Sequence, residues 1–161
     1  MRLKTIVHES FTEYKEPVMY IGTISCDGKC CTEAGIPLSV CHNDGWRKNP
    51  SVAVSDSDIV EMYKKNRITK AICFAGLEPF EQFEELFNFM SVLRNEHGVM
   101  DPVIVYTGFN HDEISGEIEA LKMFKNIIIK YGRYVPGKES RFDEVLGVKL
   151  ASPNQYAEKI S

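Results

Sequence analysis

Short apolar runs alternate with amphipathic stretches along this chain. Val18-Met-Tyr-Ile-Gly-Thr-Ile24, Lys70-Ala-Ile-Cys-Phe-Ala75, Pro102-Val-Ile-Val-Tyr-Thr107 and Asn126-Ile-Ile-Ile-Lys130 are each apolar over about a strand's length. Bounded by glycines and polar turns, such runs predict buried strands. Between them the apolar period changes to that of a helix. Ser55 and Asp58 have capping-box-like spacing ahead of Ile59, Val60, Met62 and Tyr63, which predicts a helix starting near Asp56. Phe80, Phe83, Phe87, Met90 and Leu93 mark a second helix, with Glu81, Glu84 and Glu85 in its opening turns and Gly98 at its exit. Ile114, Ile118 and Leu121 mark a third. The tail from Pro136 to Ser161 offers only a short strand at Gly147–Leu150.

Strands that alternate with helices and are themselves apolar predict an α/β fold, with a mostly parallel sheet covered by helices. No internal repeat, low-complexity stretch or linker divides the chain, so residues 1–161 read as one domain. Ligands of such sheets bind beyond the carboxyl ends of the strands. Each chemically suggestive segment falls there: Cys26 after the first strand, Gly76-Leu-Glu-Pro79 after the second, Thr107-Gly108 after the third and Gly132 after the fourth.

Cysteine usage sharpens this picture. Four of the five cysteines, Cys26, Cys30, Cys31 and Cys41, lie within residues 26–43, the last followed by His42-Asn43. Thiolates grouped after a strand can hold a soft metal or an iron–sulfur cluster. Three ligands would leave one metal position open, whereas four would close the site. The same grouping also suits a zinc knuckle or a set of reduced thiols, and spacing alone does not choose between Cys30 and Cys31. Cys73, in mid-strand, reads as a small buried hydrophobe.

Composition mainly excludes. The first eight residues are too short and polar for a secretion signal, which points to reduced thiols and a cytoplasmic setting. No apolar run nears the roughly 18 residues that span a bilayer, so no membrane role is expected. A net charge of −4 supplies no footprint for nucleic acid.

Taken in order, these segments resemble the radical S-adenosylmethionine (radical SAM) superfamily. Cys26 and Cys30 are similar to the first two positions of its CxxxCxxC signature, and Cys41-His42-Asn43 to its third. Ten residues, Cys31 to Val40, stand between Cys30 and Cys41 as an insertion expected to loop out. Gly76-Leu77-Glu78-Pro79 resembles the superfamily's GGEP motif. Tyr106-Thr107-Gly108-Phe109, Tyr131-Gly132-Arg133-Tyr134 and Ser152-Pro-Asn-Gln155 resemble segments of the activating proteins of anaerobic ribonucleoside-triphosphate reductase, which are glycyl-radical enzyme activases. Lys130-Tyr131 stand where those activases usually carry an aspartate.

The resemblance implies a partial (β/α) barrel of about five or six parallel strands. It implies that Cys26, Cys30 and Cys41 hold three irons of a [4Fe-4S] cluster, whose fourth iron chelates S-adenosylmethionine (SAM). Gly76, Leu77, Glu78, Thr107 and Gly108 would line the cosubstrate. An electron from a flavodoxin-type donor would cleave SAM to methionine and a 5′-deoxyadenosyl radical. That radical would take hydrogen from a glycine of a partner, anaerobic ribonucleotide reductase. Two other readings stay open: radical SAM chemistry on another protein or small molecule, and a non-enzymatic zinc- or cluster-binding adaptor.

Overall fold

The computed structural model describes residues 1–161. Its strands in chain order are β1 (Arg2–Leu3), β2 (Thr5–Ser10), β3 (Val18–Gly22), β4 (Val52–Ala53), β5 (Ala71–Ala75), β6 (Val103–Tyr106), β7 (Ile127–Tyr131), β8 (Arg141–Asp143), β9 (Val148–Leu150) and β10 (Tyr156–Lys159). Six of them form the main sheet, in the order β10-β7-β6-β5-β3-β2. The four strands legible as apolar runs are its parallel centre, β3, β5, β6 and β7. Both edges are antiparallel, β2 against β3 and β10 against β7. The expectation of five or six parallel strands is therefore corrected to four. The short strand expected at Gly147–Leu150 forms over Val148–Leu150 but pairs with β8, outside the main sheet.

The helices are α1 (Lys29–Glu33), α2 (Asp44–Lys48), α3 (Asp56–Lys65), α4 (Phe83–Ser91) and α5 (Ser115–Leu121). Ser55 caps α3 as its spacing suggested, its side chain accepting from the Asp58 N–H. A 3-10 turn, Pro79–Gln82, leads into α4, and Glu78 caps that turn by accepting from the Phe80 N–H. Asn110 and Glu113 close a reciprocal capping box ahead of α5. No helix is long and apolar enough to cross a membrane.

Strand periodicity sends alternate residues to opposite faces, and the two faces are covered differently. Ile72, Phe74, Val103, Val105, Ile127 and Ile129 point to the helical side. There they meet Ile59, Val60, Leu86, Phe89, Ile118 and Leu121 from α3, α4 and α5. The opposite face carries Ala71, Cys73, Ala75, Ile104 and Ile128 and has no helix over it except at β3, where Trp46 of α2 meets Tyr20. Tyr14 and the β8–β9 hairpin, through Leu146 and Leu150, cover part of it instead. The sheet is thus helix-covered mainly on one side, unlike the doubly covered sheet that continuous apolar runs suggest. Small side chains on its other face leave room for a cavity.

Phe74 is fully buried and meets Phe89 edge to face at 5.1 Å. Phe74→Ala is expected to cost about 3–5 kcal/mol in urea denaturation, through lost burial and the cavity left behind. Met123, 69% exposed, is the control, and Met123→Ala is expected to stay within about 0.5 kcal/mol of the parent.

Candidate functional site

Beyond the carboxyl ends of β3, β5, β6 and β7 lies a cavity of about 420 Å³ that extends along the face opposite α3, α4 and α5. Cys26, Cys30 and Cys41 line it, as do Gly76, Leu77, Glu78, Thr107 and Gly108. The segments that the sequence placed beyond the strand ends therefore converge on one space.

The cysteine loop is attached to the sheet by backbone contacts. Beyond β3, the Thr23 N–H donates to the Ala75 carbonyl, and the Glu78 N–H to the Ser25 carbonyl. The Ile24 N–H donates to the Gln82 side chain at 2.8 Å. Gly28 then turns the chain into α1 with φ of +74°, a conformation that suits glycine. A Cβ there would come within 2.6 Å of the Leu38 side chain. The Gly28 N–H also donates to Cys26 Sγ at 3.3 Å. Cys26, Cys30 and Cys41 are half-buried, while Cys31 is buried. The segment between Cys30 and Cys41 does not loop out. α1 takes up its first three residues, Cys31–Glu33, and a 3-10 turn at Leu38–Val40 returns the chain so that Leu38 and Cys41 line the cavity. His42 is exposed, and Asn43 stands at the start of α2 without a side-chain cap bond. Trp46 packs against Tyr20 of β3, with ring centroids 6.2 Å apart, near Gly22.

Glu78 closes the opposite wall. It is 7% exposed, and its carboxylate accepts from Thr107 Oγ1 at 2.7 Å, the Gly108 N–H at 2.8 Å and the Phe80 N–H at 3.2 Å. Thr107 is committed as well, since its hydroxyl donates to Glu78 and accepts from the Phe109 N–H. Gly76, with φ of +89°, lets the turn pass Tyr20, whose hydroxyl would lie 2.8 Å from an added Cβ.

Lys130 lines the same cavity and was treated in the sequence only as a missing aspartate. It is 6% exposed, and its ammonium donates to the Gly132 carbonyl at 2.9 Å and lies 5.8 Å from the Tyr106 ring centroid. Burial pulls its pKa down to about 8, against the opposing pull of the Glu78 charge. The available signal was strand parity: Lys130 shares its face with Ile128, toward the cavity rather than the helices.

The donor set decides what this space can hold. Cys26 neighbours Cys30, Cys30 neighbours Cys31 and Cys31 neighbours Cys41. Yet no three of their sulfurs lie within 4.8 Å of one another, as the shell of a single ion would require. Soft donors spread around a wider space fit a cluster better than one zinc. The only ligand group of single-ion dimensions is Cys26, Asp27 and Glu81, and Glu81 there accepts from the Asp27 N–H. Residues 25–152 match the family model of the 4Fe-4S single cluster domain. The chain belongs to this family. Comparison with curated proteins and with solved structures gave no match.

Two further sets of contacts hold the 4Fe-4S domain's cysteine loop and cavity rim. Arg133 pairs with Glu113 through two bonds of 2.6 and 2.7 Å, and its Nε reaches Glu33 of α1 at 3.0 Å. Lys29, also on α1, reaches Glu113 at 2.6 Å. Arg133 is therefore buried in an ion-pair network of its own chain rather than solvated. Behind it, Asn154 Nδ2 donates to the Arg133 carbonyl at 2.7 Å and Gln155 Nε2 to the Gly132 carbonyl at 3.1 Å. This contact holds the turn after β7, where Gly132 has φ of +94°.

Burial raises the Glu78 carboxyl from its ordinary 4.5 to about 7, against the lowering effect of its three hydrogen bonds. A raised carboxyl stabilises the fold while protonated, so this contribution is complete below about pH 4.5 and is lost as pH rises to about 7. In protein without iron, Glu78→Gln is expected to remove a stability decline of about 3 kcal/mol across that window. Denaturant melts at successive pH values check this, and parallel curves for parent and variant would refute the assignment.

Proposed function

We propose that this 4Fe-4S domain is a radical SAM enzyme that activates a glycyl-radical enzyme, with anaerobic ribonucleotide reductase as the partner. One observation carries the reading. Three half-buried cysteines and the paired turns Gly76–Glu78 and Thr107–Gly108 face one another across a single cavity. Cys26, Cys30 and Cys41 would hold a [4Fe-4S] cluster, which when bound would supply the electron for reductive cleavage of SAM.

The chain's own residues place and shelter that chemistry. Cys26, Cys30 and Cys41 are the ligands in this reading. Gly76 and Gly108 let backbone approach the cosubstrate, and Glu78 fixes both turns rather than touching the reacting atoms. The buried carboxylate beside the amino-acid end of SAM favours its ammonium, and Lys130 favours its carboxylate. The inner face corresponds to the inside of a partial barrel, with α3, α4 and α5 outside. The partner supplies the remaining cover over the mouth, where Tyr134 is 44% exposed. A flavodoxin-type donor supplies the electron, and a cytoplasmic location suits the reduced thiols. The zinc-adaptor alternative is disfavoured by sulfurs too widely spread for one ion.

Anaerobic reconstitution with iron and sulfide, followed by electron paramagnetic resonance with and without SAM, tests the proposal. A reduced four-iron signal altered by SAM is expected, with SAM cleavage abolished in Cys41→Ala and spared in Cys73→Ala. Uptake of zinc alone, or a signal indifferent to SAM, would remove the radical SAM reading. Equal loss in both variants would remove the ligand assignment.

A further inference from the structure

Cys31 has no structural duty that explains its place. It is 3% exposed, yet it belongs to neither of the two apolar clusters, in contrast to Cys73, which is packed within one of them. Its neighbours are the other thiols, with Cys30 on one side and Cys41 on the other, and it lines the cavity they share. α1 fixes it there: the Cys31 N–H donates to the Gly28 carbonyl at 3.0 Å, and the Ile36 N–H donates to the Cys31 carbonyl at 3.0 Å. Lys29 and Glu33 of the same helix are held by Glu113 and Arg133. The segment Cys31–Val40 therefore presents a fourth sulfur to the cavity instead of carrying it away.

We infer that Cys31 is a displaceable fourth thiolate, which caps the remaining iron of the cluster in the resting protein and yields that iron to the cosubstrate. The inference rests on Cys26, Cys30 and Cys41 being the other three ligands and, for its second half, on the proposed binding of SAM. Capping releases the Cys31 thiol proton and forms one iron–sulfur bond. Displacement breaks that bond and puts the amino and carboxylate groups of SAM in its place; the proton that the SAM ammonium gives up on ligation goes to the Cys31 thiolate, with no change in electron count. A four-thiolate cluster is coordinatively closed, so the resting protein is protected while its mouth is uncovered. Placement on a short helix between two turns gives the cap a way to withdraw without disturbing the sheet.

Iron loss tests the cap without SAM and without turnover. A cluster iron that lacks a thiolate is readily lost on mild oxidation, leaving a three-iron cluster with its own paramagnetic signal. In reconstituted full-length protein treated with ferricyanide, Cys31→Ala is expected to give several-fold more three-iron signal than the parent. The half-point of a SAM titration of the reduced signal is expected to fall several-fold in the same variant, because no thiolate then competes. Cys31→Val, which fills the site without a donor atom, serves as the folding control and is expected to give the same rise in three-iron signal as Cys31→Ala. Equal three-iron yields in parent and both variants would overturn the cap. Complete cluster loss in Cys31→Ala with retention in Cys30→Ala would also overturn it, making Cys31 one of the three permanent ligands. A parent that takes up no four-iron cluster would instead strike at the iron–sulfur reading itself, so the two failures are distinct.

Discussion

The carboxylate of Glu78 is the junction on which the site depends. Its backbone N–H reaches the Ser25 carbonyl on the cysteine loop, while its side chain holds Thr107 and Gly108 beyond β6. One residue thus ties three strand ends together. A carboxylate removed from water must be matched by donors, and here two backbone N–H groups and one hydroxyl meet it. The distance between the thiols and the opposite wall is set through this junction.

The second determinant is the asymmetry of the sheet. Parallel strands usually need cover on both faces. Here one face is filled by Phe74, Phe89 and their neighbours. The other carries Ala71, Cys73 and Ala75, whose small size keeps the floor of the cavity low. Cavity volume and core packing are therefore properties of alternate residues in the same strands. A substitution at one position acts on packing, and its neighbour acts on the site.

Legibility in the sequence followed burial. The four central strands were readable because they are buried on both faces, which leaves continuous apolar runs such as Ile127-Ile-Ile. β2 and β10 were not, because edge strands keep polar residues: Thr5-Ile-Val-His-Glu-Ser10 buries no residue fully, and Tyr156–Lys159 buries only Ala157. α1 and α2 are five residues each, too short to show a period. The eight proposed site residues could be named because they follow strand ends and resemble motifs. Their common place beyond the strand ends was legible too, but the contacts that shape the cavity were not, since they arise from the Glu78 junction and the return of the chain at Leu38–Val40. Lys130 was missed because its significance lies in strand parity rather than in any motif.

The contact between Asn154-Gln155 and the turn after β7 has a consequence for biosynthesis. The four clustered cysteines lie in the first third of the chain and leave the ribosome early. The cavity rim around Gly132 and Arg133 is fixed only when Asn154 and Gln155 arrive, more than a hundred residues after Cys41. During elongation the thiols are thus present without their finished enclosure. Iron and sulfide delivered at that point would meet an open loop, so durable loading belongs to the completed chain.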